Sequence, residues 1–167
     1  MQVKFIGSGD AFGNGGRFQA CILLRAPGHA DDVLLDCGAS SLVALKQQRH
    51  DPAKIGLVLV SHLHGDHFGG VPFLVLDGQF TRRTRPLHVA GPAGVRERVQ
   101  AAMEVLFPGS TQVQRRFEVQ FHELADRQQF QFDVDVDMDV ERARLVVTPY
   151  EVVHASGAAA LALRVGW

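Results

Sequence analysis

Ser61-His62-Leu63-His64-Gly65-Asp66-His67 places three imidazoles and one carboxylate within six residues of each other. Neutral imidazole nitrogens and carboxylate oxygens are the donors that Zn2+ and similar divalent ions take at neutral pH. In an extended segment, His62 and His64 are two residues apart and point to the same side. Asp66 and His67 come next, on the turn into a helix, and can face a second point close by. This spacing suits two neighbouring metals better than one closed structural site, which would favour cysteine ligands. Other chemical signatures fail. His122-Glu123 is followed by Asp126 where an HExxH site needs its second His, and no GxSxG is present. Gly7-Ser8-Gly9-Asp10-Ala11-Phe12 ends in Phe where the dinucleotide fingerprint needs Gly.

The elements that must position this segment follow from periodicity. Val3–Gly7 reads as a short buried strand ending in a Gly-rich loop. Gln19–Arg25 and Asp32–Asp36 read as paired strands joined through Pro27-Gly28. Ser40–Arg49 reads as a helix with Leu42, Val43 and Leu45 on its inner side. Ile55–Ser61 is an apolar, β-branched run that suits a strand buried on both faces. The His-rich loop leaves its end, and a helix is expected from His67 to Leu76. Pro86–Ala90 is a further strand. Pro92–Leu106 is a helix with Val95, Val99, Met103 and Leu106 at spacings of three and four. Phe117–Phe121, Phe130–Val140, Leu145–Val153 and Leu161–Val165 complete the strands. Helices mixed with strands in this order predict an α/β or α+β layered domain.

Composition bounds the rest. The chain has 167 residues, which fits one domain. Its hydrophobic share is 46% and its charged share 21%, ordinary for a globular protein. The net charge of −1 gives no argument for nucleic acid or membrane. No apolar run approaches a membrane span or a signal peptide. Cys21 and Cys37 sit in apolar surroundings and read as buried, reduced thiols, which points to the cytoplasm. Asp133, Asp135, Asp137 and Asp139 alternate with apolar residues and read as an exposed acidic strand face. Arg82, Arg83 and Arg85 read as a solvated basic cluster, with contact to substrate phosphates as the other option. His29, His50 and His88 read as surface or strand-end residues, and His122 as lying on a polar face. Leu161–Trp167 ends the chain in an apolar strand, so a partner chain, a second copy or further sequence is expected to cover it.

The His-rich segment resembles the HxHxDH signature of the metallo-β-lactamase superfamily. The likeness extends beyond it. Gly7-Ser8-Gly9, Ala11-Phe12-Gly13 and Gly15-Gly16-Arg17 resemble the first loop of the ribonuclease Z-like and arylsulfatase-like branch. Leu34-Leu35-Asp36-Cys37-Gly38 resembles the second-strand motif, and Val152-Val153-His154-Ala155-Ser156-Gly157 the segment that supplies a further His. The resemblance implies a four-layer αβ/βα sandwich, here its larger N-terminal portion, with residues 1–167 as a single C-terminally incomplete domain. It implies that His62, His64 and His154 hold one metal while Asp66 and His67 bind a second. Asp66 would join in proton transfer, and Asp36 would orient the loop from behind, unless it is a simple turn residue. The cofactor expected is Zn2+, one or two ions, with Mn2+ or Fe as alternatives. Complete members also carry a later bridging Asp and a final His, which this sequence lacks. The implied function is hydrolysis of an ester-type bond by a metal-held hydroxide. A phosphodiester, small or in nucleic acid, is favoured over sulfate esters, lactones and thioesters. The competing expectation is a catalytically silent metal-binding or assembly module.

Overall fold

The computed structural model describes residues 1–26, 29–133 and 144–167. The expected turn at Pro27-Gly28 and the acidic stretch from Asp135 to Asp139 lie outside the described residues. Nine strands and four α-helices are present among the described residues. They are β1 (Gln2–Gly7), β2 (Cys21–Arg25), β3 (Asp32–Leu35), α1 (Ser41–Gln47), β4 (Ile55–Leu59), α2 (Gly65–Phe68), α3 (Val71–Phe80), β5 (Leu87–Gly91), α4 (Val95–Leu106), β6 (Val119–Glu123), β7 (Phe130–Asp133), β8 (Arg144–Val152) and β9 (Ala160–Gly166). Strands β1 to β6 form one sheet in sequence order, and β7 to β9 form a second. The first two pairings are antiparallel, and β3-β4-β5-β6 run parallel.

Alternation along the central strands divides the apolar residues between two cores. Leu34, Val58 and Val60 point to the helices, where they meet Ala44, Leu45, Val71, Val75, Val95, Val99 and Met103. Val33, Leu57 and Leu59 point the other way, onto Phe132, Leu145, Val147 and Leu161 of the second sheet. A side chain can serve either core only because successive residues on a strand face opposite ways. Burial of each such Val or Leu contributes about 1.5–3 kcal/mol. The result is three layers, helices on a six-stranded sheet on a three-stranded sheet.

Several expectations need correction. The helix expected from His67 to Leu76 is two helices, α2 and α3, parted at Gly69-Gly70, with Pro72 at the start of the second. Val43 is 53% exposed, because the inner face of α1 is set by Ala44 and Leu45 with Leu42 beside them. Leu106 is also exposed, being the last residue of α4. β6 starts two residues later than expected, since Phe117 is first taken up by the core and by the Arg83 guanidinium 5.5 Å from its ring centroid. Arg83 is itself buried rather than solvated. It donates to the carbonyls of Arg85, Ile55 and Pro86 and so ties off the entry to β5. His50 is packed against Asp32 at 3.2 Å, not on the surface. His88 and His122 stack between the sheets with ring centroids 5.3 Å apart, and the edge of Phe132 packs on His122 at 5.2 Å.

Candidate metal centre

The candidate site lies where β3 and β4 end, at the carboxyl edge of the parallel strands, a common place for ligands in such sheets. Asp36 follows β3 and turns out of the sheet with a left-handed φ of 59°. Its backbone N–H still donates to Leu59 at 2.8 Å. Val60 and Ser61 continue β4, and His62 bridges to Ala160 at the start of β9. Ser61 accepts from the Leu161 N–H at 2.9 Å, so the second sheet is fastened to the His-rich loop. That fastening carries the β8–β9 turn, and His154 with it, to the site. Close approach behind the loop requires glycine at two places. A Cβ on Gly38 would meet the Asp66 carbonyl oxygen at 2.3 Å, and one on Gly70 would meet the Gly38 carbonyl oxygen at 2.2 Å.

Four imidazoles converge there. Ring centroids are 4.8 Å apart for His62 and His64, 4.7 Å for His62 and His154, 5.1 Å for His64 and His154, and 3.9 Å for His62 and His67. Ligand atoms of His62, His64 and His154 all lie within 4.8 Å of one another. Nitrogens held by one zinc ion at 2.0–2.1 Å would be about 3.4 Å apart. An adjustment of about 1.4 Å at most therefore gathers the three onto one ion, and the donor set fits a divalent cation. Asp66 sits beside them, its Oδ2 3.3 Å from His67 Nε2.

Behind the imidazoles lies a hydrogen-bond hub that the sequence reading foresaw only in Asp36. Asp36 Oδ1 accepts from the Ser61 N–H at 2.7 Å. Asp36 Oδ2 pairs with the Ser61 hydroxyl at 2.9 Å and with His67 Nδ1 at 2.7 Å. The same hydroxyl is 3.1 Å from His62 Nδ1. In the second layer, Ser156 Oγ is 2.8 Å from His154 Nδ1 and 3.3 Å from His64 Nε2. Neither serine carries a sequence signal of its own, although Ser61 adjoins His62 and Ser156 lies two residues after His154. Burial, then the neighbouring His67, His154 and His64 rings, holds His62 below the usual imidazole range. For His67, burial opposes the charged form, but the Asp36 hydrogen bond and the Asp36 and Asp66 charges outweigh it, so its pKa is raised. A cleft of about 770 Å³ opens beside Asp66, walled by α2, α3 and α4 and by Ala11 and Gln19.

Helices on a six-stranded sheet on a three-stranded sheet, with a His cluster at the strand ends, match the larger part of the metallo-β-lactamase fold, as the solved structures show. Human tRNase Z, short form, superposes with a TM-score of 0.73 at 22% identity, over 99% of this chain and 65% of that one. The metallo-β-lactamase fold protein YhfI of Bacillus subtilis gives a TM-score of 0.69 at 18% identity, over 98% and 56%. The family model described as anti-Pycsar protein Apyc1 matches residues 1–163, so the chain belongs to that family. Its sequence is also similar to ribonuclease Z of Methanothermobacter thermautotrophicus (32% identical over 63% of this chain and 34% of the relative) and of Lachnoclostridium phytofermentans (30% over 77% and 40%). Mouse zinc phosphodiesterase ELAC protein 1 is 32% identical over 63% of this chain and 30% of that protein. The chain thus spans well under half the length of the curated relatives it matches.

Proposed function

We propose that this chain is a single metallo-β-lactamase-like domain carrying the metal-binding part of a metal-dependent phosphodiesterase. The observation that carries the reading is the convergence of His62, His64 and His154 within 4.8 Å, with Asp66 and His67 alongside. His62, His64 and His154 would hold one divalent ion, with zinc first and Mn2+ or Fe as alternatives. Three His ligands leave an open position, the arrangement of catalytic rather than structural sites. Asp66 and His67 would contribute to a second. A bound divalent ion supplies Lewis acidity and brings the pKa of a coordinated water from about 15.7 to about 7. The chain's own groups do the rest. Asp66 presents a carboxylate that can take a proton from the nucleophile's side. Asp36 holds the Nδ1 side of His67, which leaves Nε2 facing Asp66. The names of the relatives, ribonuclease Z and zinc phosphodiesterase, support a phosphodiester as the bond cleaved. We place the protein in the cytoplasm, a reading supported by two buried, unpaired cysteines.

Hydrolysis of bis(p-nitrophenyl) phosphate with added Zn2+ or Mn2+ tests the proposal. The expected outcome is metal-dependent turnover that falls at least 100-fold in His64→Ala. Equal inactivity of both proteins at every metal concentration would overturn it.

A further inference from the structure

On helix α4, Arg96, Gln100 and Met103 are four and three residues apart and form one stripe. It lies on the side turned away from Arg98, Ala101 and Val105, which line the cleft beside Asp66. The stripe walls a second cavity, of about 170 Å³, between α4 and the edge strand β6. Val75, Phe117 and Phe121 give this cavity an apolar floor, and Arg115, from the segment joining α4 to β6, lines it from the other side. Two guanidiniums thus border the space, and no carboxylate does. Arg96 lies over Phe121, 5.1 Å from the ring centroid, and has no ion pair among the described residues. Arg115 donates to the carbonyls of Ser110 and Val113, while its Nε is buried with no acceptor among the described residues. Burial lowers the Arg115 pKa, and no acid offsets it. Glu104, one turn along α4 from Gln100, is already taken up by the Gly109 N–H at 2.7 Å and by the N–H and hydroxyl of Thr111.

We infer that this cavity is a binding site for a small organic anion, a carboxylate on a compact apolar body, separate from the candidate metal centre. Charge sets the sign of the ligand. Two cations around one confined space with no counter-charge repel each other, and an anion removes that cost. Guanidinium forks match the two oxygens of a carboxylate, and they give up water more readily than an ammonium does. The floor sets the body. Val75, Phe117 and Phe121 offer a bare phosphate nothing in exchange for its hydration, but they cover an apolar ring or branched chain. The volume sets the size, since drug-sized ligands occupy roughly 300–1,000 Å³.

The test is residue-resolved NMR of the isotope-labelled chain, with and without Zn2+, titrated with benzoate, phosphate or benzyl alcohol. It needs no turnover, so it stands apart from the phosphodiesterase reading. Benzoate is expected to give saturable shifts at the backbone amides of Gln100, Thr111 and Phe121 and at the Arg115 Nε–H. Phosphate and benzyl alcohol at the same concentration are expected to leave those signals in place. Arg96→Gln alters an exposed side chain, and Arg115→Lys keeps the charge but loses the fork. Each is expected to weaken benzoate at least fivefold, and the dispersion of each variant's spectrum checks that it folds. Benzoate shifts that are absent from these residues, or confined to His62, His64 and His154, would overturn the inference. An equal response to benzyl alcohol, or unchanged benzoate affinity in either variant, would overturn it by removing the need for the guanidiniums. An equal response to phosphate would overturn it by removing the need for an apolar body.

Discussion

At the scale of single residues, the candidate site is held by what lies behind the imidazoles. Asp36 accepts three hydrogen bonds, from the Ser61 N–H, the Ser61 hydroxyl and His67 Nδ1. A ring fixed through Nδ1 presents Nε2 in one direction, and such outer partners are worth 10- to 100-fold in metal affinity. Asp36→Asn keeps the shape but replaces one acceptor oxygen with a donor. Isothermal titration with Zn2+ is therefore expected to show affinity weakened at least 10-fold in Asp36→Asn. Ser61→Thr is expected to stay near wild type, because it retains the hydroxyl, and Ser61→Ala to resemble Asp36→Asn. Wild-type affinity in both damaged variants would mean that the hub does not orient the ligands. The His-rich segment is legible in the sequence because clustered metal-binding side chains announce themselves by type and spacing, whereas His154, a lone imidazole 87 residues after His67, is reached only through the family resemblance of its segment. Ser61 and Ser156 are not legible, since a hydroxyl near a ligand has no distinguishing pattern until the backbone places it.

At the scale of elements, strand alternation explains both what sequence reading found and what it missed. The run from Ile55 to Ser61 is recognisable as a strand buried on both faces, and Ile55–Leu59 within it forms the fully buried β4. The same alternation on β5 and β6 hid His88 and His122, which looked like wet-face residues. They are stacked between the sheets with Nδ1 of one 3.1 Å from Nε2 of the other, because β7 brings Phe132 over them. Only the pairing of two sheets, a long-range fact, reveals that. Burial lowers the pKa of His88. Burial, then the His88 and Arg96 charges, lowers that of His122. In the unfolded chain both would titrate near 6.5. Below that pH the unfolded state takes up protons that the folded state refuses, so stability falls as pH drops through 6.5 and is recovered above it. Urea unfolding is expected to show a lower midpoint at pH 5.5 than at pH 7.5. The difference should shrink in the double variant His88→Phe, His122→Phe. An unchanged pH dependence in that variant would assign the effect elsewhere.

At the scale of the whole molecule, two cores on one central sheet join the layers, and an ion pair with a buried carboxylate ties β2 to β3 at one end of that sheet. Asp32 is 1% exposed at the start of β3. Its carboxylate receives two 2.8 Å hydrogen bonds from the Arg25 guanidinium and lies 3.2 Å from His50. Burial works against the charge, yet Arg25 and His50 outweigh it and hold the Asp32 pKa at about 2. The carboxylate's contribution, roughly 2 kcal/mol, is present above its unfolded value near 4 and is lost as pH falls toward 2. Asp32→Asn is expected to destabilise the protein at pH 7 and to flatten the acid limb of the stability profile between pH 4 and 2. A variant with the wild-type acid limb would contradict this. The layered α/β class was readable from element order. The separation of α2 from α3 escaped that reading although Gly69-Gly70 and Pro72 mark it locally, and the break brings Gly70 against the Gly38 carbonyl across the loop.

Three imidazoles from two distant parts of the chain are proposed to hold one divalent ion. Elemental analysis of protein purified without chelators tests it most directly, with wild type and His154→Ala compared side by side. At least one equivalent of zinc, manganese or iron per wild-type chain, reduced to a small fraction in His154→Ala, is the predicted result. Wild-type protein that retains no metal, even after incubation with Zn2+ and desalting, would mean that these imidazoles do not form a metal site.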